Sequence, residues 1–469
     1  DEAGNRELPQ IVGQLTILPK HWWTGTDASG NPRDVARGTL EPPLGSGPYH
    51  IASLSPGRSV TYERVADYWG RDLAVNVGTN NFAEIRYEFF RDDTVEFEAF
   101  KADAVDWRIE STARVWATGY DFPAVRDGRV IMETFEEPYR ASGLMVGMVF
   151  NLRRPIFQDP RVRRAFNLVF DFEETNRTLF FGQYERLSSY FHGTELAASG
   201  LPEGRELALL EPLRDQLPES VFTTPYANPL ADTPEALRAN LRQALDLFAE
   251  AGWRVREEVD PEQAGSGFLH SILSAIGLAS DPTRQVMRGP DGEPVVLEWL
   301  LNGPGFERIA LAYKDMLARV GIELTIRIVD SSQFVNRLRA RDFDIIYNGW
   351  AQSLSPGNEQ LEYFGCEAAR REGSRNYGGI CTPAIEALIN AVIFAEDREE
   401  LVAATHALDR ALLAGNYLVP GWGQRAARTA RWDRFAHPEP LPEYGLGFPA
   451  IWWFDEERAR RISGGGSNG

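Results

Sequence analysis

The sequence predicts an α/β fold built from two α/β units. With 469 residues, the chain is too long for one ordinary core, because domains average roughly 150 residues. Residues 295–350 have the pattern strand–helix–strand–helix–strand, and residues 84–107 have a shorter strand–helix–strand pattern. Helical crossovers between successive strands predict that those strands pair in parallel. Both units are therefore expected to be layered α/β structures.

The larger unit is predicted from the spacing of its apolar residues. Apolar side chains recur at helical spacing before Gly321, which is expected to end the helix. From Ile322 to Ile328, apolar and polar residues alternate as in a strand with one buried face. Asp330 is placed to cap the next helix. The predicted elements are strands 295–301, 322–328 and 343–348, with helices 307–320 and 331–339 between them.

Other elements follow from capping and turn residues. Pro160 and Pro234 are placed at first helical positions, and Gly252 is expected to end the second of these helices. Further helices are predicted to start near Pro383 and Arg398. The remaining predictions are a strand at 84–90, a helix at 94–101, a strand at 105–107, surface loops at 203–232 and 254–290, and a disordered tail at 463–469.

Charge and hydropathy exclude several kinds of partner. The formal net charge of -19 disfavours nucleic acid, because phosphate binding needs clustered lysine and arginine. No apolar run approaches the roughly 18 residues that a membrane span requires. The first five residues have no basic or apolar signal pattern, so any export signal is expected to lie outside this chain.

The two cysteines, Cys366 and Cys381, are close in sequence. One interpretation is a disulfide, which would indicate an oxidising compartment. The other is two unrelated thiols. Two cysteines are too few for a four-thiolate zinc site, and no histidine stands nearby at ligand spacing. No metal site and no cofactor are predicted.

Enzyme motifs are absent from the sequence. It has no phosphate-binding loop of the Gly-x-x-x-x-Gly-Lys type and no His-Glu-x-x-His pair, and its Gly-x-Ser-x-Gly string at 465–469 stands in the predicted disordered tail and not at a strand-to-helix elbow. Its six histidines are scattered singly, and adjacent carboxylates such as Asp92 and Asp93 are interpreted as solvated surface groups. No catalytic residue is predicted.

The strongest indication of a site is the strand at 343–348, which runs through Gly349 and Trp350 into a polar loop ending at Glu359. Open α/β sheets bind their ligands beyond the carboxyl ends of their strands. Several aromatic residues stand beside turn residues, where a ring could either pack in the core or line a pocket. As a set they favour a recognition cleft; they are Trp22, Trp23, Trp350, Tyr363, Tyr377 and Trp422.

Several stretches resemble one known family. They are 18–22 (LPKHW), 45–49 (GSGPY), 62–69 (YERVADYW), 153–166 (RRPIFQDPRVRRAF), 342–350 (DFDIIYNGW) and 353–359 (SLSPGNE). Together they are similar to the extracellular solute-binding proteins that feed peptides and related solutes to ABC transporters. The similarity is greatest to the branch associated with oligopeptides and with peptide antibiotics of the microcin C kind.

The resemblance implies a type II periplasmic-binding-protein-like fold, with two lobes that close around a hinge. Lobe I would comprise 1–143 and the returning segment 424–469, and lobe II would comprise 144–423. The chain would cross the hinge near Ser142 and Gly143 and again at 421–423. Family members have a further N-terminal portion, so lobe I is expected to be incomplete. A periplasmic location and a monomer are also expected.

One position departs from the family pattern. Peptide-binding relatives place an aspartate three residues after the Gly-Trp tryptophan to hold the α-ammonium of the ligand, and this chain has Ser353 there. A neutral hydroxyl cannot make that charge-assisted bond. Either Glu359 replaces the aspartate or the ligand terminus is not bound at this point. Longer or modified peptides are therefore expected rather than short free-amino peptides.

Loop position suggests a role for each candidate residue. Trp350, Tyr363, Tyr377 and Trp422 are expected to bound side-chain pockets. The expected polar contacts are Asn358 and Asn376 to peptide main-chain groups and Arg375 to a carboxylate. The predicted function is the substrate-binding component of an ABC importer, with membrane permease subunits as partners. Two alternatives are a binding protein for an oligosaccharide or metal chelate and a periplasmic carboxylate hydrolase.

Overall fold

The computed structural model of the chain describes residues 5, 7–37, 39–136, 142–259, 283–424, 426–443 and 445–463. They form two compact units. Unit 1 contains Asp1–Pro9 and Ala141–Gln424, and unit 2 contains Gln10–Arg140 and Arg425–Gly469. The division into lobes at 1–143, 144–423 and 424–469 stays a prediction.

The strands in chain order are β1 (Tyr49–Ser55), β2 (Ser59–Arg64), β3 (Glu84–Glu88), β4 (Trp107–Ile109), β5 (Val130–Glu136), β6 (Leu144–Phe150), β7 (Glu185–Arg186), β8 (Arg254–Val259), β9 (Thr283–Arg288), β10 (Val296–Asn302), β11 (Glu323–Val329), β12 (Ile345–Ala351), β13 (Leu418–Pro420), β14 (Trp422–Gly423), β15 (Ala426–Trp432), β16 (Phe435–Ala436) and β17 (Trp453–Phe454).

The α-helices span Leu8–Gly13, Lys20–Trp23, Asp93–Lys101, Ala113–Thr118, Pro123–Arg126, Pro160–Val169, Phe172–Thr178, Gly204–Leu210, Ser220–Thr223, Pro234–Glu250, Glu307–Ala318, Ser331–Arg339, Glu359–Phe364, Cys366–Arg370, Pro383–Ile393, Arg398–Gly415 and Glu456–Ser463. Short 3-10 helices span Pro155–Phe157, Glu211–Gln216 and Pro304–Phe306. Within these described ranges, no helix combines the length and the apolar character that a membrane crossing needs.

The main sheet of unit 1 has the strand order β11-β10-β12-β6-β13. Parallel pairing of β10 with β11 and with β12 confirms the predicted crossovers. β12 is the central strand, as its apolar sequence predicts. β6 and β13 add antiparallel pairing on the other side, so the sheet is mixed. Local sequence patterns could not predict that β6 and β13 join this sheet, because the two strands are far apart in the sequence.

Helices of unit 1 begin where capping residues predict. The Asp159 carboxylate accepts a hydrogen bond from the Arg161 amide at 2.8 Å, and the Thr233 hydroxyl accepts one from the Ala236 amide at 3.1 Å. Asp397 caps the helix Arg398–Gly415 in the same way, through the Glu400 amide at 2.8 Å. Each contact satisfies an amide that the first helical turn leaves unpaired.

Unit 2 corrects one prediction. β3 belongs to the antiparallel sheet β1-β2-β3, whereas β4 belongs to a second antiparallel sheet, β4-β15-β5. Residues 84–107 therefore do not form a parallel β–α–β unit. The reason is non-local pairing, because β4 pairs with β15 from the C-terminal part of the chain.

Two predicted loops also need correction. Part of 203–232 is helical, including Gly204–Leu210 and Ser220–Thr223, and part of 254–290 forms the antiparallel pair β8–β9. Short helices and an edge hairpin lack the long apolar period on which the prediction relied. Residues 260–282 and 464–469 lie outside the described residues, and with them most of the predicted disordered tail.

A buried carboxylate anchors the helix Arg398–Gly415. Asp409 is fully buried, and its Oδ2 accepts hydrogen bonds from the Ser189 hydroxyl at 2.7 Å and the Ala198 amide at 2.9 Å. Its Oδ1 accepts a third from the Tyr190 amide at 2.8 Å. The neighbouring Arg410 guanidinium donates to Glu206 Oε1 at 2.7 Å. These contacts fasten residues 189–206 to the helix.

The stability of unit 1 is expected to fall as pH rises from about 4 to about 6. Burial raises the pKa of the Asp409 carboxyl from 3.8 to about 6, so in this window the folded state binds a proton that the unfolded state has released. The free energy of unfolding should drop by about 2 to 3 kcal/mol across the window. Urea titrations of the chain and of Asp409→Asn check this, because the asparagine cannot titrate. Parallel pH profiles for the two proteins would refute it.

Candidate functional site

The candidate site lies where β12 ends. The Gln352 amide donates to the Gly143 carbonyl at 2.6 Å, and the Gly143 amide donates to the His192 carbonyl at 2.7 Å. Gly143 has a φ of +65°, and a side chain there would meet the Gln352 carbonyl oxygen at 2.4 Å. Only glycine fits such a backbone position without strain. We call residues 352–360 and 375–377 the polar rim.

Trp350 is a packing residue beneath the polar rim. Its side chain is 2% exposed, and its ring lies 5.2 Å from Phe364, 5.8 Å from Tyr190 and 5.9 Å from Tyr377. The indole Nε1 donates to the Arg375 carbonyl at 2.9 Å. Trp350 therefore holds the Arg375 backbone of the rim through this hydrogen bond, and its burial leaves almost no surface for the predicted contact with a ligand.

Arg375, Tyr363 and Tyr377 gather around Trp350. The Arg375 Nη1 donates to the Tyr363 hydroxyl at 3.2 Å, and its guanidinium lies 5.6 Å from the centre of the Tyr363 ring. Tyr363 is buried, Tyr377 is half-buried and Arg375 is exposed. Within the described residues, Arg375 forms no ion pair. Its charge thus faces solvent on the rim.

Asn376 has a different role from the predicted one. It is 0% exposed, and its Nδ2 donates to the carbonyls of Gly365 at 3.0 Å and Ile380 at 2.8 Å. Its Oδ1 accepts from the amides of Gly379 at 2.9 Å and Ile380 at 2.8 Å. All its hydrogen-bonding capacity is used inside the loop, so it is removed from the ligand-contacting set.

The first part of the polar rim holds Ser353, Asn358 and Glu359. Ser353 is exposed, and its hydroxyl accepts from the Ser355 amide at 3.1 Å. Glu359 is half-buried, and its Oε1 accepts from the Gly357 amide at 3.0 Å and from Gln360 Nε2 at 2.9 Å. Glu359 can replace the expected aspartate only through the oxygen that these bonds leave open.

Asn358 contacts the beginning of the chain. Its Oδ1 accepts from Asn5 Nδ2 at 3.1 Å, and its amide donates to Glu7 Oε2 at 3.3 Å. Glu7 is 7% exposed, and a side chain at Gly357 would fall 1.5 Å from Glu7 Oε2. A carboxylate of the chain itself thus lies against the rim.

Trp422 does not join the Trp350 group. It is 8% exposed, and its ring lies 5.1 Å from Tyr347, 4.6 Å from Phe180 and 6.2 Å from Phe306. Side chains alternate along a strand, so Tyr347 and Trp350 of β12 point to opposite faces. Within unit 1, the aromatic residues predicted as one set therefore form two groups.

Trp22 and Trp23 belong to unit 2. Both are half-buried, and their ring centres are 4.7 Å apart in an edge-on arrangement. The Arg33 guanidinium lies 4.0 Å from the Trp22 ring and is paired with Glu41 at 2.7 Å. Their predicted role in ligand binding stays a prediction.

The disulfide interpretation is confirmed, because Cys366 and Cys381 are bonded with their Cα atoms 4.5 Å apart. The bond closes a loop that carries Arg375 and Tyr377. This loop therefore presents the second part of the polar rim.

Sequence reasoning missed some residues of the site. Gln360 is fully buried, and its Nε2 donates to Gln352 Oε1 at 2.6 Å, which closes the first part of the rim. Glu7 and Tyr347 were missed as well. Spacing of eight residues between two glutamines is not a motif, and the contacts of Glu7 span about 350 positions. Tyr347 could have been found from the sequence, because the alternation of side chains along β12 places it on the face opposite Trp350.

Comparison with known proteins identifies relatives over nearly the whole chain. The family model described as bacterial extracellular solute-binding proteins, family 5 middle, matches residues 8–370. The uncharacterized protein y4wM of Sinorhizobium fredii is 51% identical over 97% of this chain and 64% of its own length. The probable peptide-binding protein YejA of Agrobacterium fabrum is 50% identical over 97% of this chain and 70% of its own length. The chain thus spans about two thirds of these relatives.

A solved structure shares the fold. The oligopeptide-binding protein AppA of Bacillus subtilis, solved with a nonapeptide, superposes with a TM-score of 0.65 at 17% identity. The match covers 94% of this chain and 72% of AppA. The predicted α/β fold of the periplasmic-binding-protein type is therefore confirmed.

Proposed function

Because this chain belongs to family 5 of the bacterial extracellular solute-binding proteins, we propose that it captures oligopeptides or modified peptides for an ABC importer. The name of the Agrobacterium relative, a probable peptide-binding protein at 50% identity, supports this ligand class. The bound peptide would pass to membrane permease subunits, and the protein would act in the periplasm. We propose a receptor without chemistry of its own.

The observation that carries the proposal is the polar rim at the end of β12. Its groups are suited to an extended peptide, because the Ser353 hydroxyl, the Glu359 carboxylate and backbone amides can pair with main-chain groups. Each such bond contributes only about 0.5 to 1.5 kcal/mol net, so several are needed for useful affinity. Because these bonds go to the peptide main chain, the protein can bind peptides of different sequence.

Arg375 is proposed to bind a carboxylate of the peptide. Its guanidinium is exposed on the rim and hydrogen-bonded to the neutral Tyr363 hydroxyl. An arginine can bind a carboxylate through two parallel N–H···O bonds. Ser353 offers no negative charge for an α-ammonium, so the carboxylate end is the better candidate for recognition by charge.

Replacing Arg375 with glutamine is expected to weaken binding of penta-alanine about tenfold or more, because a charge-assisted bond contributes about 1.5 to 3 kcal/mol. Calorimetric titration measures the affinity. Penta-alanine with an amidated C-terminus should bind the original chain and Arg375→Gln equally well. Arg339→Gln, at an exposed position of the helix Ser331–Arg339, is the matched control and should change nothing. An equal loss for both peptides would contradict the assignment of Arg375.

Two other functions have their own tests. Tyr347 and Tyr377 are half-buried, and the exposed part of either ring could contact a sugar ring of an oligosaccharide. Native mass spectrometry of co-purifying ligands distinguishes a peptide from an oligosaccharide or a metal chelate. Overnight incubation with penta-alanine, followed by mass spectrometry, tests the hydrolase alternative, because a receptor should return the peptide intact.

A further inference from the structure

A basic pocket lies in unit 1, against the loop that also carries Arg375 and Tyr377 of the polar rim. Its cavity measures about 430 Å³, and its lining contains four arginines and one glutamate: Arg153, Arg341, Arg370, Arg371 and Glu372. The whole chain has a formal net charge of -19, so a wall with an excess of positive charge is unusual here. The contacts of these arginines show whether nearby acidic groups neutralise their charge.

The fold brings these arginines together from two sources. Arg153 follows β6 and Arg341 precedes β12, and these strands pair antiparallel with Phe150 opposite Ile345. Both arginines therefore stand at the same end of the sheet, opposite the end where β12 reaches the polar rim. The other charged residues belong to the loop closed by Cys366 and Cys381.

Arg153 has only neutral hydrogen-bond partners. Its Nη1 donates to Asn151 Oδ1 at 3.2 Å and to the Tyr377 carbonyl at 3.3 Å, and its Nη2 donates to the Ala369 carbonyl. Burial, followed by repulsion from Arg341, lowers the pKa of Arg153 to about 10. Arg153 and Arg341 thus repel each other, and in the described part of the chain neither of them forms an ion pair.

Arg341 is similarly uncompensated. Its Nη2 donates to the Ser374 carbonyl at 2.9 Å and to the Arg371 carbonyl at 3.1 Å. Its Nε and Nη1 are buried and have no acceptor within the described residues. In that same part of the chain, no ion pair is formed by Arg153, Arg341 or Arg370, and Glu372 pairs with none of them. Arg371 is paired with Glu362 and, at 3.7 Å, with Glu367, so the available positive charge of the pocket comes from Arg153, Arg341 and Arg370.

We propose that this pocket binds an oxyanion of the phosphate class. Arginine guanidinium groups present planar N–H forks that match phosphate oxygens, and several arginines favour a doubly charged anion over a singly charged one. The cavity is larger than one phosphate group, so it accepts either inorganic phosphate or the phosphate group of a small solute. The residues that line this pocket are not those of the polar rim, although one loop carries part of both, and the proposal does not depend on the proposed peptide.

Titration of the chain with inorganic phosphate at pH 7 and low salt tests the site. Saturable binding is expected, and Arg341→Gln and Arg153→Gln should each weaken it at least tenfold. Arg370→Gln should weaken it several-fold; Arg370 is exposed, so its replacement leaves the fold intact. Arg339→Gln is the control and should bind as the original chain does. Phosphate should also raise the melting temperature of the original chain and not that of Arg341→Gln.

Three results would overturn the proposal. They are no saturable binding, equal binding by the original chain and all pocket variants, and acetate binding as tightly as phosphate. Glycerol 2-phosphate identifies the source of the anion, because tighter binding than inorganic phosphate indicates a phosphorylated solute and weaker binding indicates the free ion. Penta-alanine affinity is measured in parallel, so that failure of the phosphate site is distinguished from failure of the peptide receptor.

Discussion

Replacing Asp409 with alanine is expected to lower the free energy of unfolding by about 3 to 5 kcal/mol, as is usual when a buried polar network loses its central member. The carboxylate receives three hydrogen bonds from Ser189, Tyr190 and Ala198. The hydrogen bonds from the Ser189 hydroxyl and the Tyr190 amide are buried, so these two donors are left unsatisfied once the acceptor is gone. Each unsatisfied buried donor costs about 1 to 3 kcal/mol.

Asp397→Ala provides a matched control on the same helix. Asp397 caps that helix, but its side chain is 60% exposed, so the expected loss is about 1 kcal/mol. Urea denaturation followed by circular dichroism measures both variants. Equal losses of unfolding free energy in Asp409→Ala and Asp397→Ala would show that the buried network stabilises the fold no more than a helix cap does.

Removing the disulfide by the double change Cys366→Ala and Cys381→Ala is expected to lower the free energy of unfolding by about 3 kcal/mol, on the loop-entropy model for a loop of this length. The cysteines are 15 residues apart. Their loop carries Arg375 and Tyr377 of the polar rim as well as one wall of the basic pocket. Penta-alanine and phosphate are both expected to bind less tightly, because part of their binding energy must then order the loop.

Reduction provides the control for the disulfide. Treating the original chain with a phosphine reductant should produce the same loss of stability, and the double variant should not respond to the reductant. A stable original chain under reducing conditions, with free thiols confirmed by alkylation and mass spectrometry, would contradict the prediction.

Local patterns predicted much of unit 1. Pro160 and Pro234 placed helix starts, and apolar spacing placed β10, β11 and β12 in parallel, because both signals act within a few residues. The position of Trp350 at the end of β12 followed from the same pattern. Its burial did not, since that depends on Tyr190 and Phe364, which come from other parts of the chain.

Distant contacts explain what the sequence alone could not show. The carboxylate of Asp409 meets partners about 210 to 220 positions away, and nothing around it distinguishes it from a solvated helix residue. Asn376 looked like a ligand contact because polar loop residues usually face solvent. Its side chain instead replaces the hydrogen bonds that a regular element would supply. The predicted pairing of the strands at 84–90 and 105–107 failed for a similar reason, because β4 pairs with the distant β15.

β15 is the central strand of the β4-β15-β5 sheet in unit 2. This sheet therefore cannot be completed during translation until β15 has been made. β4 and β5 pair with residues of β15 and not with each other. At roughly 5 to 20 residues per second, the ribosome needs roughly 15 to 60 seconds to proceed from β5 to β15. During that time both strands lack their partner, and a chain released before residue 426 would leave their edges open to other chains. The central strand of the β4-β15-β5 sheet is thus made long after both of its neighbours.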